Sequence, residues 1–252
     1  MIMELTVLGS GTCLPSLTRN APGYFLRCRE TNILVDCGSG VLRQMLRGQC
    51  PWEKIDLVAL THFHPDHCSD LAAILLALKF SSRAGSGHRL VICGPAGKLG
   101  CFYRSCVASL IGDMPFPLRL VEMNKTIDFD GIHIGCCATE HLPDGESIAF
   151  SFSSAEGKAV FTGDADYSEA LCELAEGADL LVADCSSLEI DKVDGHMSAR
   201  QCGVLARKAG VKSLVLSHLH PANYPDQRRV EECATEYSGS IQLAEDLQHY
   251  RL

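Results

Sequence analysis

Thr61-His62-Phe63-His64-Pro65-Asp66-His67 places three imidazoles and a carboxylate within six residues, directly after the apolar run Leu57-Val58-Ala59-Leu60. A short apolar run bounded by polar residues reads as a buried strand, so the cluster belongs to a loop leaving a strand tip. From such a loop His62 and His64 point one way while Asp66 and His67 turn toward a neighbouring position, giving two ligand pairs a few ångströms apart. Closely packed imidazoles repel when protonated, and a bound cation holds them neutral and near. A polar turn with incidental histidines is the competing reading, and the density of the cluster argues against it. Imidazole nitrogen and carboxylate oxygen bind at about 2.0–2.2 Å and suit zinc first, with manganese or iron as alternatives. The lack of a thiolate in the loop disfavours a closed structural zinc site.

Four ligands in one loop do not complete two metal sites, so other strand ends must supply the rest. Three candidates stand downstream. His141 follows a strand at 132–136, Asp164 closes Phe161-Thr162-Gly163-Asp164 at the end of another, and His218 follows Leu214-Val215-Leu216. Each alone reads as a turn residue; together, each after an expected strand, they form the missing set.

Strand-like runs recur at 4–8, 23–27, 32–36, 57–60, 90–93, 118–122, 132–136, 148–153, 159–161, 180–183 and 213–216. Helical patterns fill 41–47, 70–80 with Ser69 as N-cap, 97–112, 168–176, 198–210 and 227–237. Hairpins and single crossovers in the first half, then alternating strands and helices, predict an α/β protein: a four-layer αββα sandwich of two mixed sheets face to face with helices outside. No low-complexity segment or linker divides the chain, so residues 1–252 are expected to form a single domain.

With 46% hydrophobic and 21% charged residues the chain has the make-up of a globular protein. Twenty-two basic residues against 31 acidic ones give a net charge of −9, which leaves no general surface for a phosphate backbone. The amino terminus runs into Leu5-Thr6-Val7-Leu8 with no charged n-region or apolar h-region, and no stretch reaches the ~18 apolar residues of a membrane span. A cytoplasmic protein without a membrane partner is the expectation. The 14 cysteines fall mostly inside apolar runs with no C-x-x-C pair, and are read as buried free thiols rather than a disulfide framework.

The 62–67 loop with His141, Asp164 and His218 resembles the metallo-β-lactamase superfamily of hydrolases over nearly the whole chain. Leu8-Gly9-Ser10-Gly11-Thr12, Arg19-Asn20, Leu34-Val35-Asp36-Cys37-Gly38, Gly94-Pro95 and Gly195-His196-Met197-Ser198 are similar to its ribonuclease Z and phosphodiesterase branch. The resemblance implies two metal ions at the strand ends. His62, His64 and His141 would hold one, Asp66, His67 and His218 the other, and Asp164 would bridge them. The candidate catalytic residues are Asp66, which doubles as a ligand, His196 as donor to the leaving group, and Asp184 to orient His196. Relatives often carry a longer glutamate where Asp184 stands, so its reach is left open. His220 is read as either lining the pocket or packing, and Asp36 as either supporting a ligand or turning a strand end; His88, His133 and His249 are read as bystanders. The resemblance also admits a homodimer.

Two divalent ions about 3.5–4 Å apart share a water and lower its pKa toward ~7, which makes a metal-bridging hydroxide available as nucleophile. A dinuclear hydrolase acting on a small phosphodiester, a cyclic nucleotide or a short oligonucleotide end, is the first reading. Asp164 stands only 23 positions after His141, where ribonuclease Z proteins insert an arm that grips tRNA. Pro221-Ala222-Asn223-Tyr224 lacks the arginine that such relatives carry there. Processing of tRNA 3′ ends is therefore an alternative, as are lactam or thioester hydrolysis and, from another class, a non-catalytic metal-binding protein.

Overall fold

A computed structural model describes residues 3–81, 87–142 and 146–252. Two sheets of seven strands lie among them. The first runs, in spatial order, β14 (His249–Arg251), β1 (Met3–Gly9), β2 (Gly23–Cys28), β3 (Thr31–Cys37), β4 (Leu57–Ala59), β5 (Leu90–Pro95), β6 (Leu118–Met123). The second runs β13 (Ser240–Leu243), β12 (Ser213–Ser217), β11 (Leu180–Asp184), β10 (Gly157–Phe161), β9 (Ile148–Ser154), β8 (Ile132–Ala138), β7 (Ile127–Phe129). Both are mixed: β3 through β6 pair in parallel, as do β10 through β13, and the remaining pairs are antiparallel.

Alternation along the strands explains the layering. Ile33 and Val35 of β3 and Leu57 and Ala59 of β4 enter the core between the sheets, where they meet Phe150, Phe152 and Phe161. The intervening Leu34 and Val58 point outward, under α1 (Val41–Arg47) and α3 (Leu71–Phe80). On the second sheet, Leu181 and Leu214 face α6 (Glu169–Ala175) and α7 (Ala199–Ala209). A strand buried on both faces needs near-continuous apolar sequence, which is why these strands are legible in it. The layers are those of the αββα sandwich.

The helix boundaries agree where caps are readable. Ser198 and Gln201 form a capping box at the start of α7, and Gly210, at φ +62°, ends it. The expected cap Ser69 is a correction: α3 starts after Asp70, whose carboxylate instead accepts from Leu42 N at 2.9 Å. Ser69 follows a separate short helix, α2 (Pro65–Cys68). The helix expected over 97–112 starts later, as α4 (Leu99–Phe102), passes through a π-helical segment (Tyr103–Ala108) and ends as α5 (Ser109–Ile111). The last helix, α8 (Gln227–Cys233), stops short of the expected 237.

Nine cysteines are buried, and every cysteine is a free thiol. Among the described residues no helix is long and apolar enough to cross a membrane.

Candidate metal centre and proton-donor pair

The candidate ligands leave the carboxyl ends of neighbouring strands. His62 and His64 follow β4, and Asp66 and His67 ride on α2, where Pro65 opens the helix with a fixed φ and no N–H to satisfy. His141 follows β8, Asp164 follows β10, Asp184 ends β11 and His218 follows β12. Parallel strands with short exits put these residues at one end of both sheets. Two glycines make the approach possible. A Cβ on Gly38 would lie 1.8 Å from Asp66 O, and one on Gly163, at φ +58°, would lie 2.7 Å from the Thr61 side chain.

Two sets of atoms converge. In the first, His64 Nδ1 is 3.1 Å from His62 Nε2 and 3.2 Å from His141 Nε2. Asp164 Oδ2 lies 3.7 Å and 3.6 Å from those two Nε2 atoms. In the second, His67 Nε2 and His218 Nε2 each stand 3.2 Å from Asp164 Oδ1, and 3.6 Å and 3.7 Å from Asp66 Oδ2. Asp164 thus turns one oxygen to each set. His67 Nε2, His218 Nε2 and Asp164 Oδ1 are buried and find no hydrogen-bond partner among the described residues. Buried polar atoms are normally satisfied, and three orphans aimed at one point fit a cation. Ligand atoms 3.1–3.7 Å apart match the edges of a coordination shell whose arms are about 2.0–2.2 Å. The donors present therefore fit two divalent ions.

Four of the remaining ring nitrogens are held from behind. His67 Nδ1 meets Asp36 Oδ2 at 2.8 Å, His141 Nδ1 meets Gly195 O at 3.1 Å, and His62 Nδ1 meets Thr61 Oγ1 at 3.0 Å. His218 Nδ1 lies 3.3 Å from Ser186 Oγ. Such partners fix the tautomer and aim the free nitrogen. Asp36 also accepts from Thr61 N and Thr61 Oγ1, both at 2.8 Å. It is the carboxylate behind a candidate ligand, not merely a strand-end turn. Asp36 and His218 adopt φ +55° and +53°, left-handed conformations that non-glycine residues take only when their surroundings hold them.

Electrostatics separates the two sets. Burial lowers His62 well below the usual range, with His67 adding to it, and burial also lowers His141 against the pull of Asp164. In His67 burial is overcome by Asp164 and Asp36, which raise it well above its ordinary value. In His218 burial is likewise outweighed, by Asp164, Asp184 and Asp66, and the ring is pushed up to about 10. Burial alone would raise Asp164, but His218 and His67 hold it well below the carboxylate range.

Beside these sets, His196 Nδ1 lies 2.8 Å from Asp184 Oδ2, so the shorter acid does reach. The His196 ring is 4.8 Å from that of His141 and 5.4 Å from that of His218. Asp184 is fixed in turn by Ser186 Oγ at 2.7 Å, Ala165 N at 3.2 Å and its own N–H to Thr162 Oγ1 at 2.9 Å. Burial disfavours charge on His196, and Asp184 reverses that, so its pKa is raised. His220 borders the cluster, 6.0 Å from His196 between ring centres. His88 packs on Phe116, His133 bonds Asp128 and His249 bonds Thr6, all away from the site. Thr61, Ser186 and the Gly195 carbonyl do not stand out in the sequence. A lone hydroxyl or carbonyl carries no pattern, and only the fold brings these to the rings.

A sequence profile described as the Beta-lactamase superfamily domain matches residues 31–219. The chain belongs to the beta-lactamase superfamily, as one of its hydrolases with candidate ligands for divalent metal ions. It is 31% identical to a ribonuclease Z of Mycobacterium bovis, over 98% of this chain and 97% of that protein. It is 28% identical to the probable metallo-hydrolase YhfI of Bacillus subtilis, over 96% and 97% of the two chains. The crystal structure of that metallo-beta-lactamase fold protein superposes over the full length of both chains with a TM-score of 0.85 at 27% identity.

Proposed function

We propose that the chain is a dinuclear-metal hydrolase of a small phosphodiester, a cyclic nucleotide or a short oligonucleotide end. In this reading His62, His64 and His141 hold one ion, Asp66, His67 and His218 the other, and Asp164 spans both. Zinc is the ion proposed first, because imidazole and carboxylate donors suit it, as they suit manganese and iron. When bound, such a pair supplies a water acidified toward neutrality and offsets charge growing on the phosphoryl oxygens.

The observation that carries the diester reading is the 2.8 Å contact between Asp184 and His196. Asp184 fixes Nδ1, which leaves Nε2 of His196 to hand a proton to a departing alkoxide. The side chain is 13% exposed, enough for a substrate to reach it. A lactam or thioester hydrolase would use the same metals without that pair.

Small size is supported by the net charge of −9 and by the hairpin of β9 and β10, which turns through Ala155 and Glu156 alone. A second reading, cleavage at tRNA 3′ ends, is favoured by the 31% identity to a ribonuclease Z. The test is a panel of bis-aryl phosphodiester, 2′,3′- and 3′,5′-cyclic nucleotides, precursor tRNA, a lactam and a thioester, each with added Zn²⁺ and Mn²⁺. Turnover of the small diesters is expected. Faster cleavage of precursor tRNA would install the second reading, and turnover confined to lactam or thioester would discard both.

A further inference from the structure

Arg229, in the first turn of α8, is the largest fully buried side chain among the described residues. Its Nη2 donates to His220 O at 2.7 Å and to Ser186 O at 2.9 Å, and its Nη1 to Asp226 Oδ1 at 2.5 Å. Its Nε finds no acceptor among the described residues. A buried ion pair replaced as a whole by apolar residues of similar volume often costs no stability, so a buried guanidinium is weak evidence for a purely stabilising role.

What it grips is informative. Ser186 carries the hydroxyl beside His218 Nδ1, and His220 follows His218 by two residues in the same exit from β12. That exit is also pinned by Cys185 N on Ser217 O at 2.9 Å and by Leu219 N on Ser10 O at 3.0 Å. Asp226 extends the chain of charge, since its Oδ2 accepts from Arg19 Nη2 at 2.9 Å. Arg19 Nη1 then donates to Ser10 Oγ at 2.7 Å and to Ala244 O at 2.6 Å. The Arg19 and Ser10 of the sequence motifs thus end up bracing the loop of His218 from the other sheet. With His218 in a left-handed conformation, that loop needs such support to keep Nε2 aimed.

We propose that Arg229, through the carbonyls of Ser186 and His220 and together with Asp226 and Arg19, is a positioning residue for the half-site of Asp66, His67 and His218, and not for that of His62, His64 and His141. The inference rests on the two-ion reading above. Its test takes metal-free full-length protein, titrates it with Zn²⁺ in equilibrium dialysis and counts bound ions by elemental analysis, with melting of the metal-free chain followed in parallel. Arg229→Met is expected to weaken one zinc equivalent 10- to 100-fold, the scale set by partners behind metal ligands, and to leave the other within about twofold. Arg229→Lys, which keeps the charge and part of the donor set, falls between. In a His64→Ala background the remaining equivalent is the one weakened. A folded Arg229→Met that binds both equivalents as the parent does, or loses both in equal measure, overturns the proposal. Should Arg229→Met not fold, Asp226→Asn, at a side chain one-third exposed, takes its place: selective weakening of one equivalent supports the proposal, and unchanged or equally weakened binding overturns it. A parent chain binding fewer than two ions would instead overturn the two-ion reading.

Discussion

His196 Nδ1 and Asp184 Oδ2 meet at 2.8 Å because both backbones are brought to the same point. Asp184 is the last residue of β11, and Gly195, at φ +81°, turns the chain just before His196 while its carbonyl accepts from His141. His196→Ala is expected to slow diesters with poor leaving groups by about 10²–10⁴-fold and activated aryl diesters far less, since only the former need protonation. Asp184→Asn should shift both in the same sense by less. Equal losses across a leaving-group series would deny His196 the donor role.

Asp36→Asn is expected to weaken zinc binding about 10- to 100-fold and also to lower the melting temperature of the metal-free chain, because the buried carboxylate facing His67 and Thr61 is lost. Asparagine is the right substitution because it tolerates the φ of +55° at this position, so the backbone stays put. The acceptor that faces both His67 Nδ1 and Thr61 Oγ1 is what changes. Competition with a chromophoric chelator measures it, and unaltered affinity would make Asp36 a purely structural residue.

Glu122 of β6 accepts from Gly97 N at 2.9 Å, in the turn before α4, and from Gly100 N at 3.2 Å, an orphan donor of that helix's first turn. These N–H groups lower its pKa. A carboxylate depressed in the folded state stabilises the fold above its unfolded pKa of about 4.3, and that stabilisation disappears as pH falls through the folded value. Glu122→Ala is therefore expected to lower the melting temperature near neutrality by no more than about 2–4 °C for a chain of this size, since solvent screens so exposed a carboxylate. The two proteins should converge in melting scans below that value. A difference independent of pH would assign the effect to packing instead.

The sandwich is legible in the sequence because strands buried on both faces must be apolar throughout, as Ile33-Leu34-Val35 and Leu180-Leu181-Val182 are. The strands β7, β13 and β14 are not, because each has four residues or fewer, and the first and third alternate polar with apolar at a sheet edge. β14 pairs with β1 from the far end of the chain, a contact with no local signal. The candidate ligands are readable because histidine and aspartate clustered after strands are scarce without a purpose. Arg229 is not, since nothing in Gln227-Arg228-Arg229-Val230 separates the buried arginine from its exposed neighbour; only the carbonyls of Ser186 and His220 do that.

With His67 Nε2, His218 Nε2 and Asp164 Oδ1 buried and without a hydrogen-bond partner among the described residues, the proposed centre is expected to depend on cations for stability as well as for activity. Ions that bind only the folded chain add about 2.7 kcal/mol at a free concentration 100 times the dissociation constant, so chelation is expected to lower the melting temperature by about 5–10 °C. Zn²⁺ or Mn²⁺ should restore both melting and turnover. His64→Ala removes the atom that lies between His62 and His141 at 3.1 Å and 3.2 Å. It should retain one of two zinc equivalents and lose several orders of magnitude in turnover, because a lone ion serves only part of the developing charge. Near-parent rates from a metal-replete His64→Ala protein would remove His64 from the ligand set.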